Sequence, residues 1–162
     1  MNGIQAIQAA LKGTSSLVGW YLSDLSDADL LVRPVPKANH IAWQLGHLIA
    51  SEDHLVKIVI PDAKYPELPA GFQAKYTKET ASSDTGFLTK NQYLDLFNKM
   101  REASIAAVGK LSDADLDKPT TGPMAQFAPT AGNLLILAAN HTTMHTGQFT
   151  CVRRKLGKPI LF

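Results

Sequence analysis

Cysteine is almost missing from this chain: Cys151 stands alone among 162 residues, so no internal disulfide can form and the fold must rest on packing. Net charge is also small. Sixteen Lys and Arg against fourteen Asp and Glu leave a formal charge of +2, too little for a phosphate-driven nucleic-acid footprint. The cations that do gather, Arg153, Arg154, Lys155 and Lys158, suit the negative dipole end of a closing helix. No run approaches the 18 consecutive apolar residues of a membrane span. The opening MNGIQAIQAALKG lacks a basic region followed by an apolar core, so a cytoplasmic location is expected. Eleven Gly and nine Pro are too few for a low-complexity chain. The length predicts a single domain over residues 1–162.

No period-2 pattern of any length appears, whereas helical spacing recurs. Ile4, Ile7, Leu11, Val18, Leu22 and Leu25 make the stripe of a first helix. Asn39 is the expected N-cap of a second, which carries Trp43, Leu45, Leu48, Ile49, Val56 and Val59 and ends by Pro61. Thr89 and Gln92 form a capping box for a third near Lys90, with Tyr93, Phe97, Met100, Ala107 and Leu111 on its inner face. A fourth and longest helix starts behind Thr130 and stops at Gly157, before Pro159. Four amphipathic helices without strands predict an all-α four-helix bundle.

Leu25-Ser26-Asp27-Ala28-Asp29-Leu30 recurs as Leu111-Ser112-Asp113-Ala114-Asp115-Leu116, either as a relic of two related halves or as capping chemistry that arose twice. Between Pro61 and Thr89 runs a long connection with the aromatics Tyr65, Phe72, Tyr76 and Phe87. Two readings stand for it: a lid that puts Phe72, Tyr76 or Phe87 in the wall of a pocket, or a structural cover over one end of the bundle.

All five histidines fall on the second and fourth helical segments. His141 and His145 are four apart, one turn apart on the stripe that holds Leu134, Ala138, Phe149 and Val152, so they face the bundle interior. Two imidazoles there are either hydrogen-bonded core residues or ligands of one ion. His40, His47 and His54 are spaced by seven and share a side, but seven residues span about 10.5 Å, so only one can join the pair. His47 matches it in depth. Three nitrogens leave positions open for water or substrate, as in catalytic zinc sites, and the set also suits nickel, copper or iron.

Ile41-Ala42-Trp43-Gln44-Leu45-Gly46-His47-Leu48, the run His141-Thr142-Thr143-Met144-His145-Thr146-Gly147-Gln148 and the closing Lys155-Leu156-Gly157-Lys158-Pro159 resemble the DinB-like (DNA-damage-inducible) four-helix proteins, relatives of the mycothiol-, bacillithiol- and glutathione-dependent transferases and isomerases. The resemblance covers nearly the whole chain. It implies an up-down-down-up bundle with a divalent ion, zinc or nickel, on His47, His141 and His145, and a homodimer is the expected assembly.

The site itself constrains the reaction. A metalloprotease helix needs Glu beside the first His, and Thr142 stands there. Glu52 and Asp53 point about 140° and 120° away from His47. With no base at hand, the expected chemistry is S-transfer from a low-molecular-weight thiol, deprotonated by the metal, to an electrophilic substrate. Cys151 lies about 240° around the helix from His145 and reads as a small core residue, not that thiol. The alternatives are a hydrolase using metal-bound hydroxide and a noncatalytic module whose metal ties two helices together. Gln44, Ser51 and Gln148 are the candidate substrate-binding residues, with Thr142 added in the hydrolase reading. Gly147 inside a helix costs about 1 kcal/mol relative to Ala and suggests close approach of another backbone or a bound group.

Overall fold

The computed structural model describes residues 1–161. Four long helices form it: α1 (Gly3–Leu22), α2 (Ile41–Val59), α3 (Lys90–Val108) and α5 (Ala131–Lys155), with the one-turn α4 (Asp113–Leu116) before the last. No strand occurs among the described residues, and no helix is long and apolar enough to cross a membrane. The starts follow cap chemistry. Asn2 and Gln5, and Thr89 and Gln92, each bond reciprocally to the other's backbone N–H, and Thr130 accepts from the Asn133 N–H. Gly157 closes the last helix with a φ of 68°.

One cap departs from expectation. Asn39 lies outside, and His40 is the N-cap of α2, its Nδ1 accepting from the Trp43 N–H at 3.1 Å. The imidazole is wholly buried and its Nε2–H donates to the Ser83 carbonyl at 3.0 Å, so one ring both starts the helix and fastens a distant loop. The LSDADL copies make the same local bonds: Ser26 and Asp29 bond reciprocally to each other's backbone N–H at the one-turn helix Asp29–Leu31, and Ser112 and Asp115 form a capping box at α4.

Each long helix packs on two others: α1 on α3 and α5, and α2 on α3 and α5, which leaves α1 and α2 across a diagonal. Long-range hydrogen bonds give the directions. Gln8 near the start of α1 bonds Ile105 near the end of α3, whereas Tyr21 near the end of α1 bonds Thr150 near the end of α5. Glu52 and Arg101, each about halfway along its helix, join α2 to α3. The core divides accordingly. One cluster joins Val18 and Leu22 to Leu45, Ile49, Tyr93, Phe97, Phe149 and Val152; the other joins Ile4 and Ile7 to Val56, Val108, Leu135 and Ala138. Thus α1 and α5 run one way and α2 and α3 the other, which is the up-down-down-up order.

That order explains the long connection. Since α2 and α3 are parallel neighbours, the chain must return the length of a helix, about 28 Å for nineteen residues, before α3 can begin. Residues 60–89 make this crossover through the one-turn helices Gln73–Tyr76 and Lys78–Thr80. Phe72 and Tyr76 are buried, and the Tyr76 hydroxyl hydrogen-bonds the Tyr93 hydroxyl at 2.7 Å. Arg33 donates to the carbonyls of Ala81 and Ser83 and pins the far end.

Candidate metal centre

His47 stands a third of the way along α2; His141 and His145 occupy successive turns of α5. The packing of α2 on α5 brings the three rings together, with centroids 4.8 to 5.3 Å apart. One ring nitrogen from each falls within 4.8 Å of the others. Two nitrogens bound to one ion at about 2.0–2.1 Å lie at most about 4.2 Å apart, so a small side-chain rotation closes the set. The His141 and His145 Nε2 atoms are already 3.2 Å apart.

Neighbouring oxygens decide which nitrogens are free. Gln44 is 1 % exposed, and its Nε2 donates to the Asn39 carbonyl at 2.9 Å, which fixes the amide so that Oε1 accepts from His145 Nδ1–H at 2.8 Å. His145 Nε2 therefore carries its lone pair toward His141. The Tyr76 carbonyl accepts from His47 Nδ1–H in a longer bond of 3.4 Å, leaving His47 Nε2 likewise unprotonated. A ring nitrogen held by an oxygen while the opposite nitrogen is free is the arrangement found around metal-ligating histidines. Trp43, one turn before His47, stacks on its ring at 5.1 Å with the planes 6° apart.

Electrostatics favour the neutral rings a metal requires. Burial pushes the His145 pKa down to about 3 and that of His141 to about 4, each further lowered by the neighbouring histidines. Burial also lowers His47, against the opposing effect of the Tyr76 carbonyl. Three neutral, convergent imidazoles fit a divalent cation.

The other histidines have different work. Both nitrogens of His40 are committed to the cap and the Ser83 carbonyl. His54 is exposed at the edge of a cleft of about 360 Å³, lined also by His47, Ala50, Ser51, Leu55, Met124, Leu137 and His141. The cleft runs between α2 and α5 and opens directly onto two of the triad histidines. Phe72, Tyr76 and Phe87 do not line it; the crossover meets His47 through the Tyr76 carbonyl and contributes none of the three rings to the cleft wall.

The candidate substrate-binding residues separate. Gln44 is buried, is absent from the cleft lining and bonds His145 and the Asn39 carbonyl, so it orients a histidine of the triad. Ser51 lines the cleft, but its hydroxyl donates to the His47 carbonyl at 2.7 Å. Gln148 is exposed and outside the cleft. Thr142 is buried and accepts from Arg101. Cys151 is exposed, contrary to a core placement. Gly147 is exposed, and a Cβ added to it would meet nothing within 4 Å, so no backbone approaches it; the close approach is at Gly46, where a Cβ would run into the Tyr76 ring.

Beneath the triad lies a charged network. Arg101, 1 % exposed on α3, donates to Glu52 Oε2, Thr142 Oγ1, Thr14 Oγ1 and the Leu11 carbonyl, and so joins all four long helices. Ser104 donates to Glu52 Oε1 at 2.7 Å, and Tyr65 meets Ser104 at 2.8 Å. Glu52 is thus a buried counter-ion, not a base for the cleft. At the other end Arg153, expected as a helix-end cation, is buried and holds Asp24, the Tyr21 carbonyl and the Pro159 carbonyl.

Residues 10–149 match the DinB superfamily. The chain belongs to that superfamily. A solved structure, YfiT from Bacillus subtilis, described as a probable metal-dependent hydrolase with an unusual four-helix bundle topology, superposes with a TM-score of 0.70 at 16 % identity, over 96 % of this chain and 89 % of that one. The likeness at that identity is one of fold, and it agrees with the bundle order derived above. No curated protein matches the sequence.

Proposed function

We propose that this DinB superfamily protein holds one divalent cation, zinc or nickel, on His47, His141 and His145 and transfers the sulfur of a low-molecular-weight thiol to an electrophilic substrate. One observation carries the reading: a three-member histidine cluster, with no fourth His, Cys, Asp or Glu completing it among the described residues, opens into a cleft. Closed four-ligand sites serve structure, whereas three protein ligands beside a cavity leave room for an exogenous one. This speaks against a purely structural tie between α2 and α5.

A bound divalent ion lowers the pKa of a thiol or water coordinated to it, so a nucleophile forms at neutral pH with its proton passed to solvent. The chain's own residues supply the rest. Gln44 and the Tyr76 carbonyl hold two imidazoles in the ligating tautomer, and Trp43 fixes the plane of His47. Among the described residues no carboxylate lines the cleft to act as general base, which suits a nucleophile that needs none. In the transfer a carbon–sulfur bond forms to the electrophilic carbon, and the leaving group departs with the electron pair of the broken bond.

A second reading, a hydrolase in which water replaces the thiol, draws support from the fold shared with YfiT. Calorimetry separates the two. Protein purified without affinity tag or added metal should contain about one ion per chain, lost in His47→Ala. Glutathione, cysteine, bacillithiol or mycothiol titrated into the loaded protein should release about one proton, counted in buffers of different ionisation enthalpy. Binding by none of these thiols, with hydrolysis of a simple ester or amide, would establish the hydrolase instead.

A further inference from the structure

The cleft over the triad carries information that the three histidines do not. Its walls are Ala50 and Leu55 from α2, Leu137 from α5 and Met124 from the one-turn helix Gly122–Gln126, and no Asp, Glu, Lys or Arg lines it. Its polar groups beyond the triad are two. The Ser51 hydroxyl already donates to its own helix, and His54 is exposed at the edge. The α2 and α5 backbone lining the cleft lies inside helices, so its N–H groups are spent on the ladder. A carboxylate, phosphate or ammonium lodged against these walls, away from the triad, would give up water and meet no counter-charge. An apolar group would instead lose its hydration to advantage.

From this we infer that the cleft is a specificity pocket for an uncharged apolar alkyl, acyl or aryl group of the substrate, placed beside the metal centre. At about 30 Å³ per non-hydrogen atom, the share of liquid volume taken by one water, 360 Å³ admits roughly a dozen atoms. Met124, half-buried and unbranched, is the adjustable wall that lets groups of different shape fill the same space. The pocket serves either nucleophile, since it sorts the group being transferred or cleaved and not the attacking atom. It rests on the proposed metal centre only for the position of the reacting head group.

The test uses straight-chain alkyl hydroxamates, from acetyl to octanoyl, titrated calorimetrically into the zinc-loaded full chain, with an analogue bearing a terminal carboxylate. Affinity should rise about fourfold per methylene until the pocket is full, and the terminal carboxylate should cancel the gain. Leu137→Gln and, separately, Met124→Gln should flatten the series while zinc content stays at the wild-type value. The same lengths are then run as n-alkanols on chelator-treated protein, which reads the pocket without the metal. A chain-length gain with the alkanols and no zinc uptake would fail the metal reading and leave the pocket standing. A flat response in both series, or tighter binding of the carboxylate-tailed analogue, would overturn the pocket.

Discussion

Gln44 offers a direct test of how the site is built. It is buried, its amide is fixed by the Asn39 carbonyl, and its Oε1 holds His145 Nδ1–H at 2.8 Å. Gln44→Leu removes that acceptor with little change of volume and leaves a buried N–H without a partner, a loss of about 1–3 kcal/mol of folding stability. Freed from its oxygen, the imidazole also divides between tautomers, and loss of such an outer partner costs about 10–100-fold in metal affinity. Gln44→Glu acts oppositely on the ring: a carboxylate accepts from Nδ1–H and makes Nε2 more basic, while the Asn39 carbonyl loses its donor. The expected order of zinc affinity, measured by competition with a chromophoric chelator at a pH of about 7.5, where free imidazole is neutral, is therefore Glu at or above wild type and Leu one to two orders below. Urea unfolding of the metal-free proteins separates the folding cost. Zinc affinity in Gln44→Leu equal to wild type would refute the orienting role and return Gln44 to the substrate contacts.

Three further outcomes follow from the packing. Arg101→Met strands Glu52 in the interior and should cost about 3–5 kcal/mol by urea unfolding, whereas the double variant Arg101→Met, Glu52→Leu should recover most of that loss; equal stability of the two would mean the pair is not coupled. Gly46→Ala drives a methyl into the Tyr76 ring and should lower stability by about 1–3 kcal/mol, while Gly147→Ala, in open space on a helix, should raise it by up to about 1 kcal/mol; thermal melts that order these two oppositely would refute the assignment of close packing. His40, neutral and buried, has its pKa held below the ordinary 6.5 chiefly by desolvation. On acidification the unfolded chain takes the proton first, so its contribution is whole above about 6.5 and declines as pH falls from there toward the lowered folded value. His40→Asn keeps a cap and should flatten that part of the stability profile; an unchanged slope between about pH 7 and 5 would count against it.

Much of this fold is open to reading from the chain. The helices announce themselves because their inner faces repeat at three and four and their starts carry Thr89 with Gln92 and Thr130. The meeting of the three histidines is legible because His141 and His145 share a buried stripe and depth along α2 selects His47. The buried charges are not, since Arg, Glu and Asp are ordinarily taken as surface. Yet Arg101 falls in phase with Phe97 and Ser104, and Glu52 with Leu48, Ile49 and Val56, so helix phase alone places both inward. The positioning role of Gln44 is hidden for a different reason: its partner is 101 residues away, and nothing local marks the pairing. The crossover looks like a loop in search of a purpose because helix direction leaves no trace in periodicity.

The same chain path sets when the site can come into being. His47 lies before the crossover and its two companions after it, almost a hundred residues from His47, so no local segment presents more than a pair of imidazoles. An ion arriving early meets only that i,i+4 pair, in contrast to a zinc finger, whose ligands sit close enough for the metal to organise the fold. Here α2, the strap and α5 must dock before three nitrogens exist. A cation held there would therefore act as a late lock, slowing the unfolding rate while leaving the folding rate nearly unchanged, and would tie the protein's endurance against proteolysis to the occupancy of the site.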